Sequence, residues 1–540
     1  MQGSELQRAL VQQPTKPAAR ARTGRGVPAA LLGIAGLSAL LVLLPLAYLI
    51  LRAFEADGQN LREIVFRFRT LELLGNTLAL TAGVLLGSSL LALPLAWLLA
   101  RTDLPAKRLI VLLGVLPLAV PGYVGAFAML GATGPNGVIQ VLTGIDFPRP
   151  SGYWGAVGVL SLFSFPYLFL NVWAALRGLD PNLEEVARSL GHSRWRVFAS
   201  VIIPQLRPAL YAGGLMIALH VLGDFGVVSL LRFETFSAAI YTQYTASFDR
   251  VYAAWLSLML LALTIATLML EARLLRRVRL SRVGSGAARR QSTIRLGAWR
   301  WPSIAFVTAL GTASLGVPVL TVSYWLGRGQ LSNIALEKLG QALLNSLTAA
   351  GPAAVLCALL ALPLAYLGVR FPNPSSRWLE RVAYLGNASP PLALALALVF
   401  FTLRSVPFLY QTLALLVIAY AIHFLAEAIG PIRSALYQAP PKLEEAARGL
   451  GFKPVRAFVR VTLPLIQRGL LSSLALVFVS SLKELPIGML LSPIGFDTLA
   501  KRIFGFTSEA MFAEAAPYAL TIMLAGSVFA VIVLNQRERA

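Results

Sequence analysis

LEEVARSLGHSRWRVFASVIIPQLRPAL, residues 183–210, returns without a gap as LEEAARGLGFKPVRAFVRVTLPLIQRGL, residues 443–470. Twelve of the 28 aligned positions are identical, and the copies stand 260 residues apart. Each opens as an amphipathic helix, with Leu183, Val186 and Leu190 (Leu443, Ala446 and Leu450) on one face and a Glu184→Arg188 (Glu444→Arg448) pair at i,i+4 on the other. Gly191 and Gly451 then supply the stop. A second helix follows and runs to Pro204 or Pro464, where the spacing predicts a turn into the next apolar segment. A chain that writes helix, glycine turn, helix and apolar run twice is built as a repeat.

The surroundings of both copies are apolar. Over 540 residues the chain is 57% hydrophobic and 13% charged, with mean hydropathy +0.71. Soluble domains average about 25% charged, so the composition predicts an all-α polytopic membrane protein. Runs long enough to span a bilayer fall near 28–51, 73–100, 109–130, 153–175, 206–230 and 252–271. A second set falls near 302–326, 342–368, 382–403, 409–430, 469–490 and 515–534, which makes twelve spans. The formal charge of +23 has no compact basic domain behind it, which argues against nucleic acid. Lys and Arg gather instead in alternate loops, so the positive-inside rule places both termini and both repeat loops in the cytoplasm.

The polar, basic residues 1–27 read as a cytoplasmic tail. Residues 28–271 and 301–540 read as two six-span repeats, joined by a basic linker over 272–300 that contains Gly284-Ser285-Gly286. The repeat extends beyond the loops: Asn76-Thr77-Leu78 matches Asn345-Ser346-Leu347, and Pro121 matches Pro390, both at an offset of 269. An even number of spans per repeat makes the halves parallel, related by an axis along the membrane normal.

The pattern Glu185-Val186-Ala187, Gly191, Pro204 and its copy Glu445-Ala446-Ala447, Gly451, Pro464 resembles the EAA loop of permease subunits of ATP-binding-cassette importers. The resemblance implies the type I importer permease fold. It also implies a coupling role toward a separate ATPase for Glu184, Glu185, Ala187 and Gly191, and for Glu444, Glu445, Ala447 and Gly451. The chain carries no G-x-x-x-x-G-K-[ST] motif, so ATP and Mg belong to the partner and this chain is read as a permease, not an enzyme, with no cofactor of its own. Cys357 is the lone cysteine, and His192, His220 and His423 form no sequence cluster.

Charges inside spans cost about 2.5–3.5 kcal/mol each unless they face a cavity or a partner. Asp224 (LGDFGV) and Glu484 (LKELPI) share the 260-residue offset of the loops, so the repeat places one carboxylate from each half across its axis. Such oxygen donors suit transient contact with a hard cation. The alternative is that each ends a helix and pairs locally, Glu484 with Lys483. His423 and Glu427 stand at i,i+4, and nearby Arg433 predicts a structural ion pair with Glu427. The stretches 233–241 and 496–504 also repeat and are expected outside the membrane, facing a binding protein.

Lys483-Glu484-Leu485-Pro486 with Phe496-Asp497-Thr498-Leu499, and Gly223-Asp224-Phe225-Gly226 with Phe233-Glu234-Thr235-Phe236, resemble the fused permeases of ferric-iron importers. Ser389-Pro390-Pro391 departs from the Pro-Gly pair of that family. The resemblance implies one fused chain in the bacterial inner membrane, two copies of an ATPase on its cytoplasmic side, and an extracytoplasmic substrate-binding protein. It also implies alternating access, with Asp224 and Glu484 as passing metal ligands. Thiamine or a phosphonate on the same plan, and a secondary transporter or channel, remain the competing readings.

Overall fold

The computed structural model describes residues 29–54, 67–179, 181–247, 250–276, 293–329 and 333–538. The expected tail 1–27 and the Gly284–Gly286 part of the linker lie outside the described residues. Among the described residues eight helices are long and apolar enough to cross a membrane, and three bent pairs bring that number to eleven. Unbroken ones are α1 (Leu31–Ala53), α2 (Phe68–Arg101), α4 (Gly152–Arg177), α5 (Trp195–Gly223), α6 (Arg250–Leu275), α7 (Gly297–Arg328), α8 (Ala335–Arg370) and α11 (Pro454–Lys483). One further long helix, α12 (Phe512–Glu538), follows them.

Three spans, over the apolar runs near 109–130, 382–403 and 409–430, are bent pairs of helices. They are α3 (Lys107–Ala119 with Gly122–Ala132, 99°), α9 (Pro374–Ala388 with Pro391–Ser405, 104°) and α10 (Leu413–His423 with Leu425–Gln438, 54°). The breaks in α3 and α9 fall at the matched prolines. A proline has no N–H to continue the helix and drives its predecessor to extended backbone: Val120 has ψ 112° and Ser389 ψ 129°.

The halves interlock through their first helices. α1 packs on α6 of its own half and on α8 and α9 of the other; α7 packs on α12 and on the Gly122–Ala132 arm of α3. Trp325 Nε1 on α7 donates to the Gly131 carbonyl at 3.0 Å, and Tyr48 on α1 meets Phe401 on α9 edge to face. The bent third span of each half is therefore held by the opposite half. Contact is closest at Gly526, where a Cβ would stand 2.4 Å from the Ala119 carbonyl oxygen.

α5 and α11 correct the expected turn at Pro204 and Pro464. Each helix runs straight through its proline, because one π turn precedes it, Phe198–Ile202 in α5 and Phe458–Thr462 in α11. The wider turn absorbs the missing donor without ending the helix. The helix that follows the repeat loop is thus the same rod that carries the intramembrane carboxylate at its far end.

Candidate functional site

The two repeat loops occupy one end of the bundle and have the same construction. Pro181–Ser189 and Pro441–Gly449 form the first helix of each. Gly191 and Gly451 close them at φ +82° and +88°, in the left-handed region that glycine enters without strain. His192 and Phe452 donate back to the Ala187 and Ala447 carbonyls, both at 3.2 Å, which completes the same C-terminal lock twice.

These helices lie with their apolar face outward. Val186, Leu190, Leu443 and Leu450 are 56%, 73%, 47% and 81% exposed, while Ala187 and Ala447 are buried against the bundle. The Val-for-Ala departure at 186 sits on the open face, where size is free to vary. Glu185 and Glu445 also face outward.

Glu184 and Glu444 point inward instead. Glu184 pairs with Arg101, which is itself buried and stacked over Trp97. Glu444 accepts from Tyr366 Oη and Thr462 Oγ1, each at 2.8 Å, and from Arg448. These two glutamates position the loops rather than present them. The expected i,i+4 pair forms in the second copy; in the first, Arg101 takes the glutamate.

Removing one partner of a buried charged network costs about 3–5 kcal/mol. Glu444→Ala strands Arg448, Tyr366 and Thr462, so thermal unfolding of the purified protein is expected to fall well below that of wild type and below that of Glu184→Ala. Equal midpoints for Glu444→Ala and wild type would sink this account.

At the far ends of α5 and α11, Asp224 and Glu484 occupy the same backbone state, φ −70°, ψ 127° and φ −71°, ψ 120°. The long helices end here, within the apolar runs 206–230 and 469–490, and the short helices Gly226–Leu230 and Pro486–Leu491 begin. Asp224 Oδ1 accepts from Val227 N at 3.0 Å and Val228 N at 3.3 Å; Glu484 Oε1 accepts from Ile487 N at 3.2 Å. Each carboxylate uses one oxygen as a local cap. Local pairing of Glu484 with Lys483 is not what the described residues show: Lys483 Nζ reaches across to the Leu118 carbonyl at 3.1 Å.

Both carboxylates line one cavity of about 410 Å³ between the halves. Its wall includes the two proline breaks at Pro121 and Pro390, and Tyr123, Tyr167, His220, His423, Glu427, Ser480 and Lys483. The expected Glu427–Arg433 pair is overturned, since Arg433 pairs with Glu380 and Glu427 accepts from Ser480 Oγ at 2.8 Å. The break at Phe424 sets Glu427 in the first turn of the following helix, beside the cavity. A signal for this was present: the 260 offset pairs Tyr167 with Glu427 and His220 with Ser480, so equivalent positions from the two halves face one space. Among the described residues no three His, Cys, Asp or Glu side chains stand close enough to hold a metal ion together. A larger cleft, about 1290 Å³, lies off the axis beside the first loop and is walled by Trp97, Arg101, Trp195 and Trp299.

The repeated stretches 233–241 and 496–504, expected outside the membrane and facing a binding protein, pack part of their length into the bundle. Phe236, Ile240, Leu499, Ala500 and Ile503 are buried, and the rings of Phe225 and Phe504 meet at 5.3 Å. The matched motif at 76–77 and 345–346 holds them. Asn76 Nδ2 and Asn345 Nδ2 donate to the Glu234 and Asp497 carbonyls at 3.0 and 3.1 Å, while Thr77 Oγ1 and Ser346 Oγ accept from Phe236 N and Leu499 N at 3.1 and 2.9 Å.

Residues 88–280 and 351–537 each match the family model described as binding-protein-dependent transport system inner membrane component. The chain belongs to this family. As a member it is a multi-pass inner-membrane permease subunit that works with an ATPase and a substrate-binding protein. It is 35% identical to the Fe(3+)-transport system permease protein FbpB 2 of Haemophilus influenzae over 89% of this chain and 93% of that one. It is 32% identical to the molybdenum transport system permease protein ModB of Escherichia coli K12, over 33% of this chain and 80% of that one. The sulfate transport system permease protein CysT of the same organism is 28% identical over 35% and 69%.

Proposed function

We propose that this permease is the whole transmembrane part of an ATP-driven importer that carries ferric iron, delivered by an extracytoplasmic binding protein, into the cytoplasm. The carrying observation is that the similarity to the Haemophilus iron permease runs through both halves, at 35% identity over 89% of the chain. The chemistry of the cavity agrees. Asp224, Glu427 and Glu484 on its wall favour a hard cation and oppose an oxyanion such as sulfate or a phosphonate.

Two ATPase copies, with ATP and Mg, dock one on each repeat loop on the cytoplasmic side, where Lys and Arg concentrate. The exposed Val186–Leu190 and Leu443–Leu450 faces receive them, with Glu185 and Glu445 beside them, and Gly191 and Gly451 set the angle of approach. Closure of the ATPase pair then moves each loop together with the helix it is continuous with. α5 has 29 residues, about 44 Å at 1.5 Å per residue, so one rigid element links each loop to Asp224 or Glu484. Alternating access follows as the halves rock about the interlocked third spans. Asp224 and Glu484 act as passing oxygen ligands, each with one oxygen fixed as a cap and the other open to cargo.

ATPase activity of the purified permease–ATPase complex in lipid tests the cargo, using binding proteins loaded with ferric iron, thiamine or a phosphonate. Stimulation by the iron-loaded protein alone is expected. Stimulation by another loaded protein leaves the coupling scheme in place and removes iron.

A further inference from the structure

Lys483 breaks the symmetry of the cavity. Its equivalent in the first half is Gly223, at the same offset that pairs Asp224 with Glu484. The cavity wall therefore carries three carboxyl groups, Asp224, Glu427 and Glu484, and the Lys483 ammonium group. Lys483 and Glu427 stand on the wall of the same cavity. The ammonium donates to the Leu118 carbonyl, 3.1 Å away, in the turn just before the Pro121 break of the other half. Tyr123 Oη donates to the Lys483 carbonyl at 3.3 Å, a second link across the same boundary. A buried lysine is costly, and its four-carbon stem is flexible. Such a group among carboxylates occupies the electrostatic place of a cation. A further polar atom in the lining, His423 Nδ1, is buried and has no hydrogen-bond partner among the described residues.

We infer that Lys483 is a tethered counter-cation, which neutralises the carboxyl groups of the empty cavity and is displaced when the transported cation enters. The cargo exchanges places with the ammonium and is pushed on when the ammonium returns, so the cavity passes a highly charged ion without retaining it. Glu427 is the third carboxyl group of the exchange, and Ser480 fixes its orientation. This inference rests on a cationic cargo.

The test uses the purified permease–ATPase complex in lipid nanodiscs without binding protein, and terbium(III) as a hard trivalent probe whose emission is sensitised by Tyr123 and Tyr167. Wild type is expected to bind terbium weakly. Lys483→Met and Lys483→Gln are expected to bind it at least about tenfold more tightly, since a fixed like charge has been removed. The double variant Lys483→Met, Glu427→Gln is expected to lose that gain, and Lys483→Arg, which keeps the charge, is expected to behave as wild type. The glutamine variant retains a donor for Leu118 and guards against misfolding of the methionine variant. Terbium affinity equal to wild type in both neutral variants overturns the tethered cation, as does a gain in Lys483→Arg equal to theirs. The cargo reading fails by a different result, stimulation of the complex by a phosphonate-loaded binding protein alone.

Discussion

Aspartate at both Leu190 and Leu450 is expected to strip the ATPase from the complex, weakening its binding by at least about a hundredfold. The two leucines are 73% and 81% exposed on helices that turn Glu184 and Glu444 into the permease. An amphipathic helix in water ordinarily buries its leucines. Here Glu184 and Glu444 are bonded inward and the leucines project, an arrangement that is stable only if a partner covers them. Truncation of such an anchor costs about 2–4 kcal/mol, and a desolvated charge adds to that. Co-purification of the ATPase with the variant permease reads the result directly. Either single variant is expected to retain the ATPase copy on the unaltered loop, giving half the wild-type ratio. Full retention by the double variant would show that these faces are not the docking surface.

The second large effect is expected at the other ends of the same helices. The pair Asp224→Asn, Glu484→Gln keeps an oxygen to cap Val227, Val228 and Ile487, so the short helices that follow stay in place. It removes both negative charges facing the cavity. Iron uptake into vesicles is expected to fall at least about tenfold, while stimulation of ATP hydrolysis by the iron-loaded binding protein persists. That uncoupling separates a role in passage from a role in structure, because a collapsed bundle loses both. Unchanged uptake in an assembled double variant would remove these carboxylates from the pathway.

Much of this was legible in the chain itself because it depends on short-range order. The repeated 28-residue loop, its glycine stops and the all-helical, membrane-spanning character follow from composition, period and the demand that backbone groups in lipid be bonded within their own helix. Chain repetition also placed Asp224 opposite Glu484, because equal offsets mean equal positions about the axis. Pro121 and Pro390 were visible as a pair. Their consequence, bends of 99° and 104° that open the cavity, was not, because a proline within a span also permits a straight helix, as Pro166 in α4 shows.

Tertiary packing made the choices between partners that sequence leaves equally near. Arg433 stands six residues from Glu427 yet pairs with Glu380 on α9, and Glu184 takes Arg101 over Arg188. Lys483 adjoins Glu484 and instead reaches Leu118 in the other half. The outward face of the loop helices is a choice of the same kind. The spacing of leucines and charges along a helix gives it two sides, and only the polar groups waiting on the bundle, Arg101 and the Tyr366–Thr462 pair, select which side turns in. Local spacing determines what elements form and how often they recur. The partner each charge meets is set by packing between distant segments, where bonds a few ångströms long join residues hundreds of positions apart.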